Sequence, residues 1–247
     1  MTYLGFHAVF LLPPLTVLGC LLWVDARRRG LPRGWLTAVV AHAAMAVVYT
    51  TPWDNYLVAR GVWVYDPTRI AGVLLGWVPL EEYVFFVLHS LLTTAWLLWV
   101  APRLPPPRPV CPLRTKVLVA ATALLWAACL VPLGAGVSPL TYLSLTLVWA
   151  LPPLTLQLWV GADLLWAHRT TVAAGVLPPA LYLSAADLTA IRWGIWTISP
   201  WHTIGWKLPG GLPVEEGLFF LATNTLLVFG MVLALDPRTR LRLAGGG

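Results

Sequence analysis

A chain of 247 residues that is 59% hydrophobic, only 11% charged and of mean hydropathy +0.77 has more apolar surface than a water-soluble domain of that size can bury. Lipid is the solvent that suits it, and its net charge of +6 is distributed as a topology signal, which gives no reason to expect a nucleic-acid partner. Cys20, Cys111 and Cys129 lack metal-ligand spacing and the five histidines form no H-E-x-x-H or H-x-x-x-H pair, so no metal site is expected.

In chain order, seven runs are long enough to cross about 30 Å of hydrocarbon as helices. They are residues 4–24, 35–53, 79–101, 116–134, 139–161, 171–190 and 213–235, with long connections at 54–78 and 191–212. Between the third and fourth runs, "APRLPPPRPVCPLRTK" carries six prolines and reads as a stiff, solvated linker. Cations alternate with the spans. Arg27, Arg28, Arg29, Arg33, Arg103, Arg108, Arg114, Lys116, Arg169, Arg238, Arg240 and Arg242 fall on one side, against Arg60, Arg69, Arg192 and Lys207 on the other. This predicts a multi-pass protein of the cell membrane with its N-terminus outside, its C-terminus cytoplasmic and its first run retained as a span.

The chain also repeats itself. "PLEEYVFF" from Pro79 returns as "PVEEGLFF" from Pro213, pairing Glu81 with Glu215 and Glu82 with Glu216. Upstream, a D-x6-G-x-W figure pairs Asp54, Gly61 and Trp63 with Asp187, Gly194 and Trp196, and "PPLT" at Pro13 recurs at Pro152. Three landmarks in one order indicate a tandem duplication. An odd three-helix unit needs one extra span before a copy of the same orientation. The expected architecture is therefore an all-α integral membrane protein with two parallel repeats, 1–101 and 135–247. A Pro-rich linker and a connecting helix at 102–134 join them, and a cavity is expected between the repeats.

The carboxylates concentrate at one end. Asp54, Asp66, Glu81, Glu82, Asp187, Glu215 and Glu216 all lie at or beyond the outer ends of spans. In each motif a proline opens the helix and the two glutamates occupy its first turn, where the free N–H groups favour an anion. Burial acts in the opposite direction, and neighbouring carboxyls resist ionising together. The combination suits general acid/base chemistry. The bland alternatives are helix capping or pairing with Arg60, Arg69, Arg192 or Lys207. The aromatics Trp53, Tyr56, Trp63, Tyr65, Trp77, Trp193, Trp196, Trp201 and Trp206 can be an interfacial belt or a π-faced wall for a cation. His89 has no counterpart in the second copy and is expected to serve local hydrogen bonding.

These motifs resemble the membrane lycopene cyclases of the heterodimeric type, in which two three-helix subunits occur separately or fused, and also form the N-terminal part of fungal bifunctional enzymes. The resemblance extends over nearly the whole chain and rests on "TPWDNYLVARGVWVY", "PLEEYVFF", the D-x6-G-x-W figure and "PVEEGLFFLATNTLLVFG". It implies a redox-neutral conversion of linear ψ-ends of lycopene into β-rings, giving γ-carotene and β-carotene. Glu81 or Glu82 with Glu215 or Glu216 would supply the acid and base. Asp54 and Asp187 would orient them or compensate charge, and Trp63, Trp196, Phe85, Phe86, Phe219 and Phe220 would shield the cation. The implied partners are lycopene or a related carotenoid from the bilayer, and membrane lipid. No flavin, nicotinamide or metal is implied, and the ending "LRLAGGG" is read as leaving no phytoene synthase part. Other readings are a cyclase or hydratase for another carotenoid end, a transporter, which would want a polar path, and a prenyltransferase, whose Asp-rich motifs are missing.

Overall fold

The computed structural model describes residues 1–111 and 114–244; Pro112 and Leu113 of the expected linker and the terminal Gly245, Gly246 and Gly247 lie outside the described residues. It contains seven helices long and apolar enough to cross a membrane. They are α1 (Tyr3–Arg29), α2 (Trp35–Ala59), α3 (Leu80–Arg103), α4 (Thr115–Gly134), α5 (Ser138–Ala167), α6 (Arg169–Arg192) and α7 (Val214–Leu235). A short basic helix, α8 (Pro237–Ala244), follows. Span for span these match the hydropathy reading, with one informative difference. The expected second span stops at Trp53 before a charge, yet α2 continues through Asp54 to Ala59 because that carboxyl is buried in protein and meets no lipid.

The two glutamate-bearing helices form the centre. α3 packs on α1 and α2 of its own half and on α6 and α7 of the other; α7 packs on α5 and α6, and on α2 and α3. α4 lies at the periphery against α5, tied by Trp126 Nε1 donating to the Val148 carbonyl at 3.1 Å and by Thr155 Oγ1 donating to Thr122 Oγ1 at 2.9 Å. The linker is pinned at Arg108, whose N–H donates to the Ala167 carbonyl at the end of α5.

The D-x6-G-x-W figure has a structural cause. Gly61 and Gly194 take positive φ, +67° and +65°, two residues past the ends of α2 and α6. There Val62 N–H donates back to Leu57 and Ile195 N–H to Ala190, each at 3.0 Å. Each turn sends its chain into a short strand, β1 (Trp63–Tyr65) or β2 (Trp196–Ile198). The two pair antiparallel with Trp63 opposite Ile198, Val64 opposite Thr197 and Tyr65 opposite Trp196. The repeat relates Val64 to Thr197, so the pairing is symmetric about its own centre and brings the two tryptophans inward from opposite halves.

The two ends of the bundle treat their acids differently. At the basic end each aspartate has a cation: Asp25 bonds Arg29 and Arg103, Asp163 bonds Arg242, and Asp236 bonds Arg238 and His168. The Arg238 guanidinium holds the Asp236 carboxyl well below the usual carboxylate range. At the opposite end, among the described residues, only Asp66 is matched, by Arg69 at 3.1 Å.

Candidate active site

The four motif glutamates divide into two kinds. α3 begins immediately after Pro79 and α7 after Pro213, both prolines being extended N-caps, so each Glu-Glu pair occupies a first helical turn. Consecutive residues on a helix point about 100° apart. Glu81 and Glu215 turn toward the connecting loops, where Glu81 Oε1 accepts from Ala71 N–H at 2.5 Å and Glu215 Oε1 from Ile204 N–H at 2.7 Å. Glu82 and Glu216 turn inward, each 4% exposed or less, and face one another's half.

The inner pair is held by phenols and an indole. Glu82 Oε2 accepts from Tyr3 OH and, at 2.9 Å, from Tyr65 OH. Glu216 Oε1 accepts from Tyr142 OH at 2.8 Å and from Trp63 Nε1 at 3.1 Å. Burial, with the Glu82 charge beside it, pushes the loop phenol Tyr65 well above its ordinary value, so it stays a donor at neutral pH. Trp63 comes from the first half and Glu216 from the second, so the site is composite. Asp187 accepts from Trp196 Nε1 at 2.9 Å, while both oxygens of Asp54 lack a partner among the described residues.

These groups enclose a cavity lined by Tyr3, Trp63, Tyr65, Glu82, Asp187 and Glu216, with Phe6, Phe85, Trp196, Phe219 and Phe220 completing the wall. Its free space, about 20 Å³, is room for about one water molecule. The aromatics interlock: Trp53 stacks on Phe219 at 5.6 Å and 9°, Tyr3 meets Trp196 at 4.9 Å, and Phe85 meets Phe220 edge-on at 6.4 Å. Phe86 points elsewhere, into a groove beside the cavity.

The open alternatives thus separate. Arg69 is engaged by Asp66, Arg192 by the Gly210 carbonyl at 2.6 Å, and Arg60 lies over Tyr56; among the described residues no cation pairs with a motif glutamate. Tyr56, Trp77, Trp201 and Trp206 are exposed, as a belt requires, whereas Trp63 and Trp196 are buried in the wall and Trp53 is buried behind it against Phe219. His89 lies buried beside Phe85 and Phe220, with Nε2 unpartnered among the described residues. Sequence reading missed Tyr3 and Tyr142. Each precedes its "PPLT" figure by the same spacing, and extending the repeat to the helix starts would have found them. Tyr65 has no such signal, since its counterpart is Ile198.

The loop-facing glutamates have a separable role. Glu81→Ala and Glu215→Ala each strand a backbone N–H, at a cost of about 1–3 kcal/mol. A fall in the thermal midpoint of the detergent-purified protein is expected, largely spared in the Gln variants, which keep an acceptor. Equal midpoints for Ala and Gln would count against this anchoring role.

Comparison with known proteins is consistent across the chain. Residues 1–100 match the family model described as lycopene cyclase. Over 232 residues, 94% of the chain and 95% of the relative, it is 40% identical to a lycopene beta-cyclase of Halobacterium salinarum. It is 38% identical over 210 residues to a bifunctional lycopene cyclase/phytoene synthase of Leptosphaeria maculans, covering 78% of the chain and 35% of that protein. It is 33% identical over 254 residues to the corresponding protein of Blakeslea trispora, covering 93% and 38%. No solved structure matches.

Proposed function

Because the chain belongs to the lycopene cyclase family, we propose that it is a lycopene β-cyclase closing β-rings on the linear ψ-ends of lycopene, with Glu82 and Glu216 as its acid and base. The observation that carries this reading is the composite cavity. Two buried carboxyls from the two halves face one aromatic-walled space, each gripped by two neutral donors. One carboxylic acid delivers a proton to the terminal alkene and leaves a tertiary cation. The neighbouring alkene attacks it, closing a six-membered ring and moving the charge to a ring carbon. A carboxylate then removes a ring proton, forming the ring double bond. One proton enters and one leaves, so no redox partner is needed.

The wall fits such a cation. Each indole or phenyl face turned toward a desolvated positive charge contributes about 0.5–2 kcal/mol, and Trp63, Trp196, Phe85, Phe219 and Phe220 line the cavity. Asp187 in the cavity wall and the buried Asp54 orient the glutamates or compensate charge. The substrate enters from the bilayer. The cations gathered at the opposite end support a topology with the site end and the N-terminus outside and the C-terminus in the cytoplasm. Residues 1–101 and 135–247 are two copies of one ancestral unit, joined by 102–134.

Expression in a host that accumulates lycopene, followed by chromatographic pigment analysis, tests the reading. γ-Carotene and β-carotene are expected. Unchanged lycopene, with the protein present in the membrane, would overturn it.

A further inference from the structure

The repeat that doubles the acids also doubles a pair of grooves beside them. One groove, about 260 Å³, runs between α2, α3, α5 and α7, with Tyr49 and Pro153 in its walls. Its counterpart, about 560 Å³, runs between α1, α3 and α6, with Tyr182 and Pro14 in the matching places. Tyr49 OH donates to the Trp149 carbonyl and Tyr182 OH to the Phe10 carbonyl, both at 2.8 Å, so the walls are built alike.

They differ where they approach the acids. Phe219 lines both the first groove and the acid cavity, whereas the second groove shares no lining residue with that cavity. The counterpart of Phe219 is Phe85, and on Phe85 the buried ring of His7 lies stacked at 6.4 Å. The other half has the smaller Thr146 at the position of His7. An imidazole therefore fills the first half where the second half leaves space.

We infer that the groove between α2, α3, α5 and α7 holds the unreacted polyene of the substrate, presenting one chain end at a time to Glu82 and Glu216, while its counterpart takes no part. This rests on the cyclase reading above. From Phe219 to Leu227 the groove follows α7 for about 12 Å, at 1.5 Å per residue. A chain seated there runs from the acids toward the bilayer midplane and leaves between α2 and α5, which meet at few points. Met45 and Tyr49 form an exposed lip on that side. Among the described residues, two of this groove's side chains also carry a buried ring nitrogen without a protein partner: His89 at Nε2 and Trp149 at Nε1. His89 and Trp149 are 4% and 7% exposed. An N–H against the face of a conjugated chain makes a weak favourable contact. A single groove also dictates an order. After the first ring closes, the chain must leave and return reversed before its second end can react.

The test uses membranes containing the full chain, supplied with lycopene in vesicles. Ala46→Phe narrows the groove, and Ala41→Trp does so from an exposed position. Val17→Phe and Leu21→Phe narrow the counterpart. The groove variants are expected to lose at least tenfold in turnover or gain as much in KM, and the counterpart variants to stay within twofold of the parent. In the parent's time course the monocyclic product should accumulate before the bicyclic one. Loss of activity in the counterpart variants, unchanged activity of Ala41→Trp, or a bicyclic product without a monocyclic lag each overturns the inference. A parent inactive on lycopene would instead overturn the cyclase reading itself.

Discussion

Replacing both Glu82 and Glu216 by glutamine is expected to cut lycopene conversion by about 10²–10⁴-fold, the usual worth of positioned acid/base groups. Each single variant should lose most of that activity, because the cavity has one carboxyl from each half and the reaction needs both a donor and an acceptor of the proton. Glutamine keeps the volume and can still accept from Tyr3, Tyr65, Tyr142 and Trp63, so the fold should survive. In contrast, Glu81→Gln and Glu215→Gln should stay within about tenfold of the parent, since these side chains face the loop N–H groups. The assay is pigment composition in a lycopene-producing host, normalised to membrane-inserted protein. Parental activity in the Glu82→Gln/Glu216→Gln protein would end the assignment.

The tyrosines supply the second large effect. Tyr3→Phe and Tyr142→Phe each remove one O–H donor from an inner glutamate while leaving the ring in place. A hydrogen bond to a charged group is worth about 1.5–3 kcal/mol, so a loss of about ten- to hundredfold in kcat is expected for each. KM and the thermal midpoint should change little, because the Tyr3 ring keeps its contact with Trp196 and the Tyr142 ring its edge-on contact with Trp63. A loss confined to KM or to stability would make the tyrosines packing residues only. Tyr65→Phe should weaken Glu82 alone, giving a test of whether the two halves contribute equally.

Much of this was legible in the residues. Hydropathy located the seven spans, because the face of a helix that meets lipid must be apolar along its length. The repeat was legible because the turn after α2 and α6 needs a glycine at positive φ and a tryptophan two residues later, which leaves a fixed spacing in the chain. The boundary at Asp54 was misjudged for a related reason. A charge ends a lipid-facing run, but whether that charge faces lipid or protein depends on the neighbouring helices.

What the chain alone could decide was therefore the membrane setting, the helix count, the recurrence of its motifs and the concentration of acids at one end. Only the packed structure could divide the adjacent glutamates. Glu81 and Glu82 are equal in composition and spacing, and differ by about 100° of rotation about α3. That rotation is set by contacts with α1, α2, α6 and α7, all distant in sequence. The same contacts carry Tyr3 to Glu82 and Tyr142 to Glu216 across 79 and 74 residues of chain. Side-chain partnership over such separations is a property of the folded surface, and no local pattern encodes it.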